Sequence, residues 1–283
     1  KDLADFPVRD ANLSNEKWPK AVYPSYQKGL SLSQQIDKSD LLINPPYQSY
    51  DSVLRFFNEA ATDELTTEIF TTLYRVASNS KIVNALITAA KNGKKVTVLV
   101  ELKARFDEAN NIKWAKKMKA AGVNIIYSIT ALKVHAKVAL IKRTKVLKDY
   151  SVALFATGNF NEVTANFYTD HILMTANAEM LKELELLFIF LAKKEKPISP
   201  LPIDFKQLFV AQFNLQSSFL SLIEQEIENA KQGKKAAITI KLNNLEEEVM
   251  INKLYDAAIA GVEIKLIIRG ICRLVPQQNI TIR

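Results

Sequence analysis

The chain has 283 residues, 48% of them hydrophobic, with 38 Lys and Arg against 30 Asp and Glu and a formal charge of +8. That length suffices for about two domains with buried cores, and the charge favours a polyanion without saying whether it is nucleic acid, acidic lipid or inorganic polyphosphate. The longest apolar stretch, Leu186 to Ala192, falls far short of the roughly 20 residues of a spanning helix, and no secretory signal opens the sequence. The single cysteine, Cys272, excludes an internal disulfide and a thiolate zinc site and fits a reducing cytoplasm. A first residue of Lys1 rather than methionine is expected of a fragment or a processed start.

In chain order, residues 1 to about 40 hold scattered charge and proline without sustained periodicity and read as the tail of something preceding the first core. Residues about 41 to 192 read as the first full α/β unit. It is predicted to contain a helix near Ser52 to Thr62, a strand near Glu68 to Tyr74, a helix from Ser80 to Lys91 and a strand from Lys95 to Leu102. A helix from Ile112 to Ala121 follows, then strands at Val123 to Ser128, His135 to Ile141, Val152 to Ala156 and His171 to Thr175, and a helix from Glu179 to Leu191. The charged and proline-rich stretch Lys193 to Pro202 reads as a linker. Residues 203–283 begin a second unit, with strands expected at Leu208 to Phe213, Ala237 to Leu242 and Val262 to Arg269. Strands alternating with helices predict an α/β fold, each domain a mixed sheet flanked by helices.

The two units repeat one another at an offset of 168 positions. Val83, Leu86, Ala89, Ala90, Gly93, Val96, Val98, Leu99 and Val100 fall on Ile251, Leu254, Ala257, Ala258, Gly261, Ile264, Leu266, Ile267 and Ile268. Each copy reads as a helix, a glycine stop and a buried strand. Gln48-Ser49 falls on Gln216-Ser217, and Ile69 to Arg75 on Ala237 to Asn243. The counterpart of His135 lies beyond Arg283, so the second unit is expected to be incomplete here.

The chemistry-bearing residues gather at predicted strand ends. In Val134-His135-Ala136-Lys137, strand alternation places His135 and Lys137 on one face, so a cation stands beside an imidazole able to attack an electrophile such as phosphorus. The plainer reading is a core histidine beside a strand-edge lysine. Arg75 and Arg105 follow separate strands, and guanidinium groups arriving there can grip phosphate oxygens in a planar, two-point way. Thr157-Gly158-Asn159 offers a tight turn with an amide, and Tyr168-Thr169-Asp170 adds a phenol and a carboxylate that could fix a histidine tautomer or simply begin a strand. No Gly-x4-Gly-Lys-Ser/Thr loop is present, so any nucleotide must be held by side chains.

The runs Thr72-Leu73-Tyr74-Arg75, Asn92 to Glu108, Leu132-Lys133-Val134-His135-Ala136-Lys137, Thr157-Gly158-Asn159 and Arg269-Gly270-Ile271-Cys272 resemble the histidine-phosphorylating bacterial polyphosphate kinases. The resemblance covers nearly the whole chain. It implies two phospholipase D-like catalytic domains, residues 22–202 and the truncated 203–283, with residues 1–21 as the tail of a preceding domain. The implied activity is reversible, magnesium-dependent transfer of the ATP γ-phosphate to inorganic polyphosphate, with ADP as the other product. By the same resemblance His135 is the phosphorylated nucleophile, and Tyr168 and Arg269 match nucleotide-phosphate positions. Arg75 and Arg105 match magnesium-site positions, where an arginine, lacking a lone pair, holds phosphate oxygens around the ion rather than ligating it. Lys137, Asn159 and Asp170 complete the histidine's surroundings by analogy with the wider superfamily. The implied setting is cytoplasmic, a homo-oligomer with at most peripheral membrane association and no nucleic-acid partner.

The sequence departs from the family pattern at Asn44, where a histidine is usual, at Gln216, where arginine is common, and at Phe70, where lysine is frequent. Two other readings stay open from sequence: a phospholipase D-like phosphodiesterase, against which Lys142 occupies the place of the expected aspartate, and an inactive polyanion-binding fragment.

Overall fold

The structure, a computed structural model, describes residues 19–21, 29–101, 108–128, 133–145, 148–193 and 203–276. The chain divides into two compact units, Lys1–Ile198 and Ser199–Arg283. Most of the predicted tail and nearly all of the predicted linker lie outside the described residues. No helix among the described residues is long and apolar enough to cross a membrane.

The first unit contains α1 (Leu32–Ile36), β1 (Leu41–Ile43), α2 (Asp51–Thr62), β2 (Thr66–Leu73), α3 (Lys81–Lys91), β3 (Lys95–Val100), α4 (Glu108–Ala120), β4 (Asn124–Tyr127), β5 (Lys137–Lys145), β6 (Lys148–Ala156), β7 (Ile172–Thr175) and α5 (Ala178–Ala192). Apolar residues three and four apart let α2 bury Val53, Phe56, Phe57, Ala60 and Ala61 on one face. The Ser80 hydroxyl accepts the Val83 N–H to start α3. Its stop is Gly93, at φ +80°, where the N–H groups of Lys94 and Gly93 donate to the carbonyls of Ala89 and Ala90. The short α1 and β1 were not expected, because five and three residues carry too little periodicity to read.

The seven strands pair in the order β1-β7-β6-β5-β2-β3-β4. β2, β3 and β4 are parallel, and β5, β6, β7 and β1 are added antiparallel. Ile69, Val98, Ile141, Leu154 and Met174 join the apolar residues of α1 to α4 in one core. On β2, Phe70 packs instead against Phe188 of α5, ring centroids 5.6 Å apart.

β5 begins at Lys137 rather than at the expected His135. The reason is a hydroxyl placed in the ladder. Thr72 Oγ1 accepts the Val138 N–H at 3.1 Å and donates to the Ala136 carbonyl at 2.7 Å, which ends backbone pairing at Thr71 and Ala139. His135 therefore lies in the extended lead-in, and strand alternation does not set its direction relative to Lys137.

At the far end of β5, the buried Arg143 donates from Nε to Asp63 Oδ2 at 2.7 Å. Burial pushes the Asp63 carboxyl up, but hydrogen bonds from Arg143, the Leu65 N–H and Thr66, with the guanidinium charge, outweigh it and hold the group below the usual carboxylate range.

The second unit contains α6 (Leu215–Lys231), β8 (Ala237–Leu242), α7 (Glu248–Ile259) and β9 (Glu263–Ile268), with β8 and β9 paired in parallel. Ile223, Ile227, Leu254, Val262 and Ile264 form its core. The strand expected at Leu208 to Phe213 is not one. Asn214 donates to the carbonyls of Phe205 and Leu208 and accepts the Val210 N–H, folding the apolar run into turns that lead into α6. Its aromatics pack edge to face, Phe205 on Phe213 and Phe209 on Phe219, instead of alternating across a sheet.

The repeat is present with one change of register. α7 ends as α3 does: Val262 and Gly261 donate to Ala257 and Ala258, with Gly261 at φ +94°. Glu68 pairs with Lys95, whereas Ala237 pairs with Glu263. The last strands are 168 apart (263 − 95) and the first strands 169 (237 − 68), so β8 corresponds to β2 one residue away from the ungapped alignment. Ile238 and Leu242, not Ala237 and Lys241, then match the core residues Ile69 and Leu73.

A carboxylate held below its unfolded value stabilises the fold above that value, and the contribution is lost as pH falls through the folded value. Asp63→Asn is expected to cost about 2–3 kcal/mol at pH 7 by leaving a buried guanidinium less well paired. Urea unfolding of both chains at pH 7 and near pH 3 checks this, the difference shrinking at the lower pH.

Candidate active site

Sheet polarity brings the predicted residues to one rim. Because β5 is antiparallel to β2, and β6, β7 and β1 alternate after it, the C-terminal ends of β1, β2, β3, β4 and β6 meet the N-terminal ends of β5 and β7. This rim carries Asn44, Tyr74, Arg75, Glu101, Ser128, His135, Lys137, Thr157 to Asn159 and Asp170.

Tyr74 organises its centre. The buried phenol ring stands edge-on to the His135 imidazole, centroids 5.0 Å apart at 75°. Lys137 Nζ, Lys133 Nζ and Arg75 Cζ lie 5.1, 5.6 and 5.9 Å from the same ring centroid. Lys137 also donates from Nζ to the His135 carbonyl oxygen.

The charges set the protonation states. His135 is pushed below the ordinary histidine range by partial burial and then by Lys137, Lys133 and Arg75, so its neutral form is favoured at pH 7. Lys137 is lowered to about 8, chiefly by burial, with Asp170 opposing and Arg75 adding to the shift.

Asp170 is held from three sides. Its Oδ1 accepts from Thr157 Oγ1 at 2.9 Å, its carbonyl accepts from Asn44 Nδ2 at 2.7 Å, and its N–H donates to the Pro45 carbonyl at 3.0 Å. A Cβ on Gly158 would stand 2.1 Å from its Oδ2, so the chain passes this carboxylate only as glycine. Asp170 thus acts on Lys137 electrostatically, and its described hydrogen bonds do not include the His135 ring. Tyr50, buried nearby, has its phenol pushed up by burial and by Glu162 and Asp170.

The remaining predicted residues fall as follows. Asn159 lies in the turn after β6, its Oδ1 buried without a hydrogen-bond partner among the described residues. Tyr168 is exposed, and its described ring contact is with Phe167 at 5.0 Å rather than with the His135 group. Arg269 follows β9 in the second unit, where its Nε donates to Asn243 Oδ1 at 3.0 Å. Arg105 lies outside the described residues.

From sequence Tyr74 is a strand-end residue beside Arg75 and Lys133 a member of a matching run, and Glu101 and Tyr50 carry no assigned role. No spacing signals a ring that gathers cations from two segments far apart in the chain. Asn44 was noted as a departure, and its bond to Asp170 gives that departure a local purpose.

Among the described residues no group of three His, Cys, Asp or Glu side chains is placed to hold a metal ion. Arg75 has no lone pair and the Asp170 carboxylate is engaged by Thr157, so this part of the rim does not fit a magnesium ion held by protein ligands.

Comparison with known proteins gives the site its context. Residues 31–197 match the polyphosphate kinase C-terminal domain 1, and residues 208–282 the polyphosphate kinase C-terminal domain 2. Polyphosphate kinases of Yersinia pestis and Escherichia coli K12 are 41% and 40% identical over 277 and 279 residues, 98% of this chain in each case. A crystal structure of polyphosphate kinase from Porphyromonas gingivalis matches 100% of this chain and 47% of its own, with a TM-score of 0.86 and 44% identity. The phospholipase D family member Nuc from Salmonella typhimurium is more distant, at 16% identity over 56% of the chain and a TM-score of 0.44. The chain spans 40% of the length of the two enterobacterial relatives, and it belongs to the polyphosphate kinase family.

Proposed function

We propose that the chain carries the phosphoryl-transfer site of a polyphosphate kinase, with His135 moving the ATP γ-phosphoryl group reversibly to inorganic polyphosphate. The observation that carries this reading is an imidazole set against an aromatic ring around which three cations gather, an arrangement that disfavours its protonation. A neutral ring nitrogen has the lone pair for attack, and the cations that keep it neutral also attract a phosphate.

In the forward step the lone pair of His135 forms a P–N bond as the γ-phosphorus to bridging-oxygen bond breaks. That oxygen keeps the electron pair and leaves on ADP. Lys137, Lys133 and Arg75 neutralise charge on the transferring oxygens, while the charge of Asp170 favours the protonated form of Lys137. A terminal oxygen of polyphosphate then attacks the same phosphorus, and the imidazole regains its electron pair.

Magnesium in this reading arrives with the nucleotide as part of the substrate, with Arg75 and Arg105 around the phosphate oxygens. Tyr168 and Arg269 are nucleotide-phosphate contacts by family position, and Asn159 offers its amide from the turn after β6. Residues 22–202 serve as the first catalytic domain and 203–283 as part of the second, in a cytoplasmic homo-oligomer. The diesterase alternative is disfavoured because Lys142, in the aspartate's place, is ion-paired with Glu185 of α5.

Incubation with γ-labelled ATP is expected to place acid-labile, base-stable label on the chain, and His135→Ala to abolish it. Label retained by that variant, or His135-dependent cleavage of bis(p-nitrophenyl) phosphate without labelling, would overturn the assignment. The initial labelling rate at low ATP should be flat between the lowered value of His135 and about 8, falling on the acid side as the imidazole protonates and on the alkaline side as Lys137 loses its charge. Lys137→Arg, whose charge persists, should lose the alkaline limb.

A further inference from the structure

Glu101 directly follows β3, is among the most deeply buried carboxylates of the described residues at 1% exposed, and has no task in the phosphoryl-transfer reading. Its Oε2 accepts the Val134 N–H at 3.0 Å, one residue before His135, and its Oε1 accepts from Ser128 Oγ at 2.9 Å, just after β4. The same residue is tied on its backbone side. Asn111 Nδ2 donates both to the Glu101 carbonyl at 3.0 Å and to the Tyr74 carbonyl at 2.8 Å. Asn111 thus locks the end of β3 to the residue whose ring stands against the imidazole.

We propose that Glu101 is a positioning residue for His135, its carboxylate tethering the lead-in at Val134 while Asn111 holds Tyr74 in register with that tether.

The repeat separates this task from the needs of the fold. The Glu101 N–H donates to the Leu73 carbonyl at 3.0 Å, and the Arg269 N–H donates to the Leu242 carbonyl at 3.2 Å in the same place of the second unit. A strand of this design therefore ends equally well on an exposed guanidinium. The carboxylate belongs to the segment it holds. Two buried oxygens fixing two donors on either side of the stretch before β5 restrict where the imidazole can stand, and misplacing a reacting group by about 1 Å can cost about 100-fold in rate.

This inference rests on His135 as the phosphoryl acceptor, so its test includes a readout that does not need transfer. Glu101→Ala removes both acceptors. Glu101→Gln keeps an oxygen for the Val134 N–H and can donate its amide to Ser128 Oγ. With γ-labelled ATP, Glu101→Ala should label His135 about 10- to 100-fold more slowly at saturating nucleotide, with the half-saturating ATP concentration within about twofold of the parent. Glu101→Gln should recover most of the rate. The chain has two histidines, His135 and His171, so imidazole NMR with His171→Gln for assignment reads His135 directly. Its titration should move up towards the ordinary histidine value in Glu101→Ala, as the ring leaves its cations, and stay near the parent in Glu101→Gln.

Loss of the carboxylate's charge alone would leave that titration unchanged or lower it. Equal impairment of the Gln and Ala variants, or an unmoved titration in Glu101→Ala, overturns the tether. If Glu101→Ala does not fold, Ser128→Ala removes one anchor alone and should slow labelling about threefold, an unchanged rate being the contrary result. A parent chain that takes no label contradicts the phosphohistidine reading, while the titration still decides the role of Glu101.

Discussion

The antiparallel attachment of β5 to β2 is the constraint on which the site depends. Ile69 pairs with Ile141 and Thr71 with Ala139, so a strand that begins its run at Lys137 does so beside the residues where β2 ends. Had β5 joined in parallel, His135 and Lys137 would lie at the opposite edge from Tyr74 and Arg75. The pairing is secured by apolar residues on both faces, with Ala139 and Ile141 in the main core and Leu140 buried on the other side. Hydrophobic burial thereby fixes the position of a polar site to which it contributes no polar atom.

That rim concentrates positive charge, which opposes folding unless something offsets it. Asp170 offers one offset, acting on Lys137 while Thr157, Asn44 and Pro45 hold it in place. The Tyr74 ring offers another, since its π-face accepts cations that a carboxylate would neutralise. The distinction matters for phosphate chemistry. Cations gathered on a ring keep their charge for an incoming anion, and they depress rather than raise the basicity of the imidazole among them. A site built instead from carboxylate-paired lysines would have less field to offer the transferring group.

Much of the fold was legible because its signals are local. Ser80 and Gly93 bracket α3, Gly261 stops α7 in the same way, and the apolar runs of β3 and β9 carry their own length. What escaped was set by partners distant in sequence. The start of β5 is decided by the Thr72 hydroxyl, and the apolar run at Leu208 by the side chain of Asn214. The one-residue slip between β2 and β8 appears only when each strand is seen with its partner. At the site the chemically obvious His135, Lys137 and Arg75 were readable. The roles of Tyr74 and Glu101 were not, because a ring or a carboxylate at a strand end has no sequence signature until its neighbours are known.

The central claim is that the imidazole of His135 forms a bond to phosphorus. The most direct measurement is 31P NMR of the chain labelled with 15N-histidine and incubated with ATP and magnesium. The expected result is a phosphorus resonance split by one-bond coupling to a single imidazole nitrogen, lost on His135→Ala and kept on His171→Gln. A phosphoryl group coupled to His171, or bound to the chain through oxygen, would contradict the account.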